Sequence, residues 1–143
     1  MKNFLTMAVI AFCATGVSAQ QKELSLLIGT YTGTGSKGIY HYSFNTATAT
    51  ARETGTTGNI TNPSFLAVSP DKKFVYAVAE TEGRAGNAAA YKVEGGTLKQ
   101  LNVQSSKGEA PCHVSVHPSG KWVSVANYSG GNFSVFKVNT DGS

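Results

Sequence analysis

Apolar positions along this chain fall in short runs, and turn residues close each run. Residues 24–28 (LSLLI) end at Gly29-Thr30. Residues 39–44 (IYHYSF) are dense in aromatic and branched side chains. Residues 65–68 lead into Ser69-Pro70-Asp71-Lys72, a turn signature, and residues 74–78 (FVYAV) follow. Residues 88–93, 114–117, 122–126 and 133–138 continue the pattern. Runs this short, bounded by Gly, Pro, Asn or Asp, read as strands. No stretch holds apolar residues at i, i+3, i+4 and i+7 through three turns, as an amphipathic helix requires. The pattern predicts an all-β chain.

The first segment differs in kind. Lys2 gives a positive start, residues 4–17 carry no charge, and Val17-Ser18-Ala19 places small residues at −3 and −1 of a cleavage point before Gln20. That is the grammar of a secretory signal peptide. A membrane-spanning helix needs ~20 apolar residues, and this run is shorter and broken by Thr6, Thr15 and Gly16. Residues 1–19 are therefore expected to be removed. Residues 20–143 would then form a periplasmic or secreted domain with no membrane attachment. Only Cys112 would remain, which excludes an intrachain disulfide.

A repeat sets the architecture. Residues 63–75 (PSFLAVSPDKKFV) align with residues 111–123 (PCHVSVHPSGKWV) at an offset of 48. Pro63 meets Pro111, Pro70 meets Pro118, and Phe74 meets Trp122. Residues 87–93 meet 132–138 at an offset of 45, and residues 26–32 meet 75–81 at an offset of 49. A repeat of roughly 40–50 residues holding four short strands marks propeller blades. The 124 residues after the leader make about two and a half blades, and propellers close with ~4–8. Further blades are expected C-terminal to Ser143. Trp122 and Phe74 read as blade-packing core.

Composition narrows the partners. Hydrophobic residues make up 41% and charged residues 14% of the 143, too apolar for a disordered segment. The net charge of +4 is spread thinly, whereas nucleic-acid binders cluster their positive charge on one face; no nucleic acid is expected. Gly33-Thr-Gly-Ser-Lys-Gly38 matches G-x-G-x-x-G, but a dinucleotide site needs a helix to follow and residues 39–44 read as a strand. It is expected to be a hairpin loop. His113 and His117 sit too far apart along a strand to share a metal. No cofactor and no metal are expected.

Up-and-down strands bring the start of a blade's first strand and the end of its second to the same face. Pro111-Cys112-His113 and Asn127-Tyr128 should share one rim. Asn62-Pro63-Ser64-Phe65 with Glu80-Thr81, and then Tyr31-Thr32, are their counterparts in the preceding blades. Loops over a rigid scaffold are where binding residues concentrate.

These residues carry a family resemblance. Ile28-Gly-Thr-Tyr-Thr32 with Gly38-Ile-Tyr40, Asn62-Pro-Ser64, Ser69-Pro-Asp71 with Tyr76-Ala-Val78 and Glu80, then Pro111-Cys-His-Val-Ser115 with Ala126-Asn-Tyr128 and Gly131 recur in order across residues 26–142. In that order they resemble the lactonase-type seven-bladed β-propellers, which include 6-phosphogluconolactonases and are related to a fungal carboxymuconate cycloisomerase. The resemblance implies seven four-stranded antiparallel blades. It implies hydrolysis of a sugar δ-lactone, a small-molecule substrate, at a channel mouth built from several blades. The chain covers only the first part of that pattern, so competence is expected of the whole propeller.

Lactone opening needs a water nucleophile, a base, and donors for the developing oxyanion. Imidazole changes charge near neutral pH, which makes His113 the candidate base or acid. Glu80 is a candidate to orient it or to bind a sugar hydroxyl. Asn127, Tyr128 and Asn62 are candidate substrate-binding residues, Asn62 alternatively a turn cap. The substrate is either 6-phospho-glucono-1,5-lactone or an unphosphorylated aldonolactone; because phosphorylated sugars normally stay in the cytoplasm, export makes the latter as plausible as the former. A non-catalytic exported propeller that binds a glycan or a protein is the alternative, because one fold serves many functions.

Overall fold

In a computed structural model of the chain, residues 23–143 are described; the expected leader, residues 1–19, lies outside them. Three antiparallel sheets follow one another along the sequence. The first holds β1 (Glu23–Ile28), β2 (Ile39–Asn45) and β3 (Thr50–Thr57). The second holds β4 (Leu66–Val68), β5 (Phe74–Ala79), β6 (Ala85–Glu94) and β7 (Thr97–Glu109). The third holds β8 (Pro111–Val116), β9 (Trp122–Asn127) and β10 (Asn132–Lys137). Each strand pairs with its sequence neighbour within its sheet, the up-and-down order of a propeller blade. By the repeat, the second sheet is a whole blade. The first supplies second-to-fourth strands and the third supplies first-to-third strands.

The repeat holds at the level of single hydrogen bonds. Ser69 N donates to Phe74 O and His117 N to Trp122 O, both at 2.9 Å. Lys72 N donates to Ser69 O and Gly120 N to His117 O, both at 2.8 Å. Lys72 and Gly120 both adopt positive φ, 60° and 70°. Where the sequences differ, the backbone does not: Asn62 and Ala110 take φ values of 45° and 49° in the loops that lead to β4 and β8.

Alternation along β5 explains the packing. Val75, Ala77 and Ala79 face the first sheet, where Ile39, Ile60, Ala89 and Tyr91 join them. Tyr76 and Val78 face the third sheet and pack with Ala90, Val114, Val123 and Val125. Both faces of the middle sheet are thus buried, so its central strand is apolar throughout. The sheets approach closely at Gly29, where an added Cβ would fall 2.0 Å from Pro63 O.

Three features differ from the sequence reading or fill it in. Strands β3 and β7 were not anticipated, because their sequences, TARETGTT and TLKQLNVQSSKGE, are mostly polar. They are outer strands: β3 is largely exposed, β7 sends only Leu98 and Leu101 onto the two cores, and backbone pairing more than burial makes both of them strands. Trp122 is 46% exposed. It points away from the second sheet, on the face opposite Val123 and Val125, whereas Phe74 at the same repeat position packs against the third sheet's partners. The Gly33–Gly38 stretch is a loop, as expected: a 3₁₀ turn (Thr32–Thr34) and two positive-φ glycines, Gly35 and Gly38, lead straight into β2.

Candidate functional site

The rim expected from the topology exists, and hydrogen bonds chain its loops together. Asn62 is the central pin. Its Oδ1 accepts from Thr32 N at 2.8 Å and from Thr32 Oγ1 at 3.0 Å. Its Nδ2 donates to Glu80 O at 3.1 Å, and its carbonyl accepts from Glu80 N at 3.2 Å. One residue therefore fixes the first sheet's loop to the end of β5. Asn is suited to the place, since its short amide tolerates the left-handed region and bonds locally.

The backbone of Glu80 being held on both sides, its side chain is aimed by two others. Tyr31 Oη donates to Glu80 Oε2 at 2.9 Å, and Ser64 Oγ donates to the same oxygen. The hydrogen bond to Glu80 pushes the Tyr31 phenol above the usual tyrosine range, helped by burial and by the carboxylate's charge. Phe65, the residue after Ser64, carries the His113 ring, so the third sheet borders the same corner. Cys112 is free, and its Sγ lies 3.9 Å from Ala126 O.

His113 is exposed at the start of β8, and its ring packs on Phe65 with centroids 4.5 Å apart and planes at 47°. Phe65 and His113 occupy the same repeat position, so successive sheets set a ring at the same place along the rim. A bulge between Pro111 and His113 sets Cys112 outside the regular pairing and aims the imidazole. The Pro111 ring in turn seats on Gly86, where a Cβ would stand 2.3 Å from Pro111 Cδ.

Asn127 lies elsewhere. It is 3% exposed, and its Nδ2 donates to Ser106 O at 2.9 Å and to Asn132 Oδ1 at 3.0 Å. Its amide thus ties β9 to the end of β7. Tyr128 is 82% exposed at the rim, with its backbone N donating to Ala110 O at 2.9 Å. The structure thus brings Asn62 and Glu80 together directly, seats His113 on Phe65 along the same rim, leaves Tyr128 open, and buries Asn127 behind it. The supporting roles of Tyr31 and Ser64 were not singled out from the sequence. The repeat held the signal: Tyr31 sits one blade before Glu80 at the same position, and Ser64 matches Cys112. Among the described residues no group of three or more His, Cys, Asp or Glu could hold a metal.

Propeller blades with a polar rim of this kind define a class, and sequence comparison gives the family. The model of the family "Lactonase, 7-bladed beta-propeller" matches residues 25–143. The chain belongs to that family. It is 36% identical over 118 residues to a 6-phosphogluconolactonase of Bacillus subtilis, covering 81% of this chain and 34% of that one. The structure of a periplasmic gluconolactonase of Pseudomonas aeruginosa superposes with a TM-score of 0.78 at 30% identity, over 85% of this chain and 36% of that one. A Bacteroides uniformis protein, provisionally assigned as a 6-phosphogluconolactonase, superposes with a TM-score of 0.77 at 42% identity, over 84% of this chain and 35% of that one. The chain spans about a third of the length of the curated relatives it matches.

Proposed function

We propose that this chain serves, within a complete seven-bladed ring whose other blades lie beyond Ser143, in the hydrolysis of a sugar lactone. The observation that carries the reading is the placement of His113 and the Glu80 corner on one rim of lactonase-family blades. Water attacks the lactone carbonyl carbon, and His113 takes the water proton. The bond from carbonyl carbon to ring oxygen breaks, and the proton passes to that oxygen, giving an aldonic acid with a free hydroxyl. Glu80 holds a substrate hydroxyl. Tyr128 offers its open phenol to the ring, while Asn62, its amide engaged by Thr32 and Glu80, and Asn127, whose Nδ2 is spent on Ser106 and Asn132, hold the loops in place.

The substrate is an unphosphorylated aldonolactone such as glucono-1,5-lactone rather than its 6-phosphate. Two observations support this: residues 1–19 read as a secretory leader, and the chain is similar to a periplasmic gluconolactonase. The test is proton release by the full-length protein from both lactones, measured over their spontaneous opening. Acceleration of neither by folded protein would defeat the enzyme reading. N-terminal sequencing of natively produced protein tests the export, with Gln20 the expected first residue.

A further inference from the structure

We propose that Glu80, Tyr31 and Ser64 form an acceptor-only corner of the rim that takes a neutral sugar hydroxyl and turns away anionic groups, with Tyr31 and Ser64 as positioning residues. The inference rests on the lactonase reading for its substrate, but it concerns binding and is tested apart from turnover.

The argument is a count of protons. Tyr31 has one hydroxyl proton and spends it on Glu80 Oε2; Ser64 spends its own on the same oxygen. Both donors converge on Oε2, so Glu80 Oε1 keeps no hydrogen-bond partner among the described residues. An ionised carboxylate only accepts, and a phenol or hydroxyl that has donated its proton has only lone pairs left. The corner, built from two blades, thus holds lone pairs and no free proton. A group that completes them must donate. A sugar hydroxyl does so and stays neutral. A phosphate, a carboxylate or the developing oxyanion brings more lone pairs and negative charge against Glu80, and is repelled. The oxyanion must therefore be stabilised away from this corner, which assigns Glu80 to substrate orientation and not to charge stabilisation.

Two donors from different blades also fix which oxygen is presented. Tyr31 is 59% exposed, so its proton reaches Glu80 at the surface of the rim and its removal disturbs no core. Glu80→Gln is the informative change. Tyr31 and Ser64 still need an acceptor, so the amide oxygen takes the Oε2 place and the NH2 takes the Oε1 place. The presented atom is thereby inverted from acceptor to donor with little change of shape.

The experiment uses the full-length protein and NMR titration with D-glucose as the neutral pyranose and D-glucose 6-phosphate as its anionic counterpart. Glu80→Gln should weaken glucose binding about tenfold, the loss of one hydrogen bond to a charged group. Tyr31→Phe should weaken it severalfold while thermal unfolding stays unchanged, because Oε2 is then free to swing and the presented oxygen is no longer fixed. Circular dichroism establishes that each variant is folded, and Tyr31→Phe carries the test should Glu80→Gln not fold. Glucose binding that is unaltered in both variants would overturn the proposal. A protein that binds glucose through Glu80 yet opens no lactone would sustain the corner and sink the lactonase reading. Lactone turnover with a KM indifferent to Glu80→Gln would do the reverse.

Discussion

Tyr31 and Glu80 hold the same position in successive sheets, 49 residues apart, and the phenol of the first donates to the carboxylate of the second at 2.9 Å. Tyr128 follows at that position in the third sheet, 48 residues on, exposed at the rim. The repeated scaffold thus sets one side chain per blade at the same height. Which chemistry appears there is chosen blade by blade, and a donor beside an acceptor makes a pair that neither blade holds alone.

Asn62 should be worth more than its exposure suggests. Asn62→Ala removes three side-chain hydrogen bonds, two from Thr32 and one to Glu80 O. Ala110, at the same position one blade later, holds nearly the same φ, so the loss belongs to the amide and not to the turn. At about 0.5–1.5 kcal/mol per bond the expected destabilisation is about 2–4 kcal/mol. Urea unfolding of the full-length protein measures it. A loss well under 1 kcal/mol would mean that the pin is not needed to join the sheets.

Tyr91 gives the pH dependence. It is 1% exposed, and its hydroxyl has no partner among the described residues. Burial pushes its phenol up to about 12. The folded chain therefore holds this proton more tightly than the unfolded chain, where the ordinary value is 10. Below pH 10 the phenol is neutral in both states and makes stability no function of pH; from pH 10 through 12 stability falls, by roughly 2–3 kcal/mol in all. Phe136 stands at the matching place in the third sheet, which shows that the fold accepts a phenyl ring there. Tyr91→Phe should raise stability by about 1 kcal/mol at pH 8, the cost of an unpaired buried hydroxyl, and should flatten the decline between pH 10 and 12. Denaturant unfolding at pH 8 and 11 checks both. A destabilised variant at pH 8 would mean that water in the adjoining cavity satisfies the hydroxyl.

Gly86 is required by space. A methyl there would stand 2.3 Å from Pro111 Cδ and 2.8 Å from Ala79 O. Gly86→Ala should cost about 1–3 kcal/mol, the range of overpacking, and should shift the loop that carries His113. Gly33→Ala, with nothing within 4 Å, should change stability by less than about 0.5 kcal/mol. Equal melting temperatures for the two variants would contradict the close approach.

His113→Ala tests the base. The side chain is exposed and touches the Phe65 ring, so folding should survive its loss. A general base contributes about 10²- to 10⁴-fold, and kcat on glucono-1,5-lactone should fall by at least the lower figure with KM little changed. Retained kcat would assign the base to another blade.

Much of this was legible without coordinates. The proline, turn and aromatic positions repeating at 48 residues determined blades, because each blade solves the same problem: strands packed against a neighbouring sheet, tight turns, and a loop at the rim. The same offset placed Asn62, Glu80, His113 and Tyr128 on one rim, and the glycine-rich segment was rejected as a nucleotide loop because a strand follows it. Outer strands β3 and β7 escaped notice for a physical reason: they are held by backbone pairing at the edge, where burial writes no apolar pattern. Trp122 was assigned to core by type, but a face becomes core only when another sheet covers it, and in this chain it stands half open.

Periodicity and residue type are local properties, and they suffice for the repeat, the all-β architecture and the chemistry available at the rim. How that chemistry is spent depends on contacts between residues distant along the chain. Residues 31, 64 and 80 lie on separate loops, and nothing local says that two hydroxyl protons meet on one carboxylate oxygen, or that the Asn127 amide turns inward to Ser106 and Asn132. Those outcomes depend on how closely neighbouring blades approach, and packing across the sheets, through Gly29, Gly86 and the two apolar layers about β5, sets that distance.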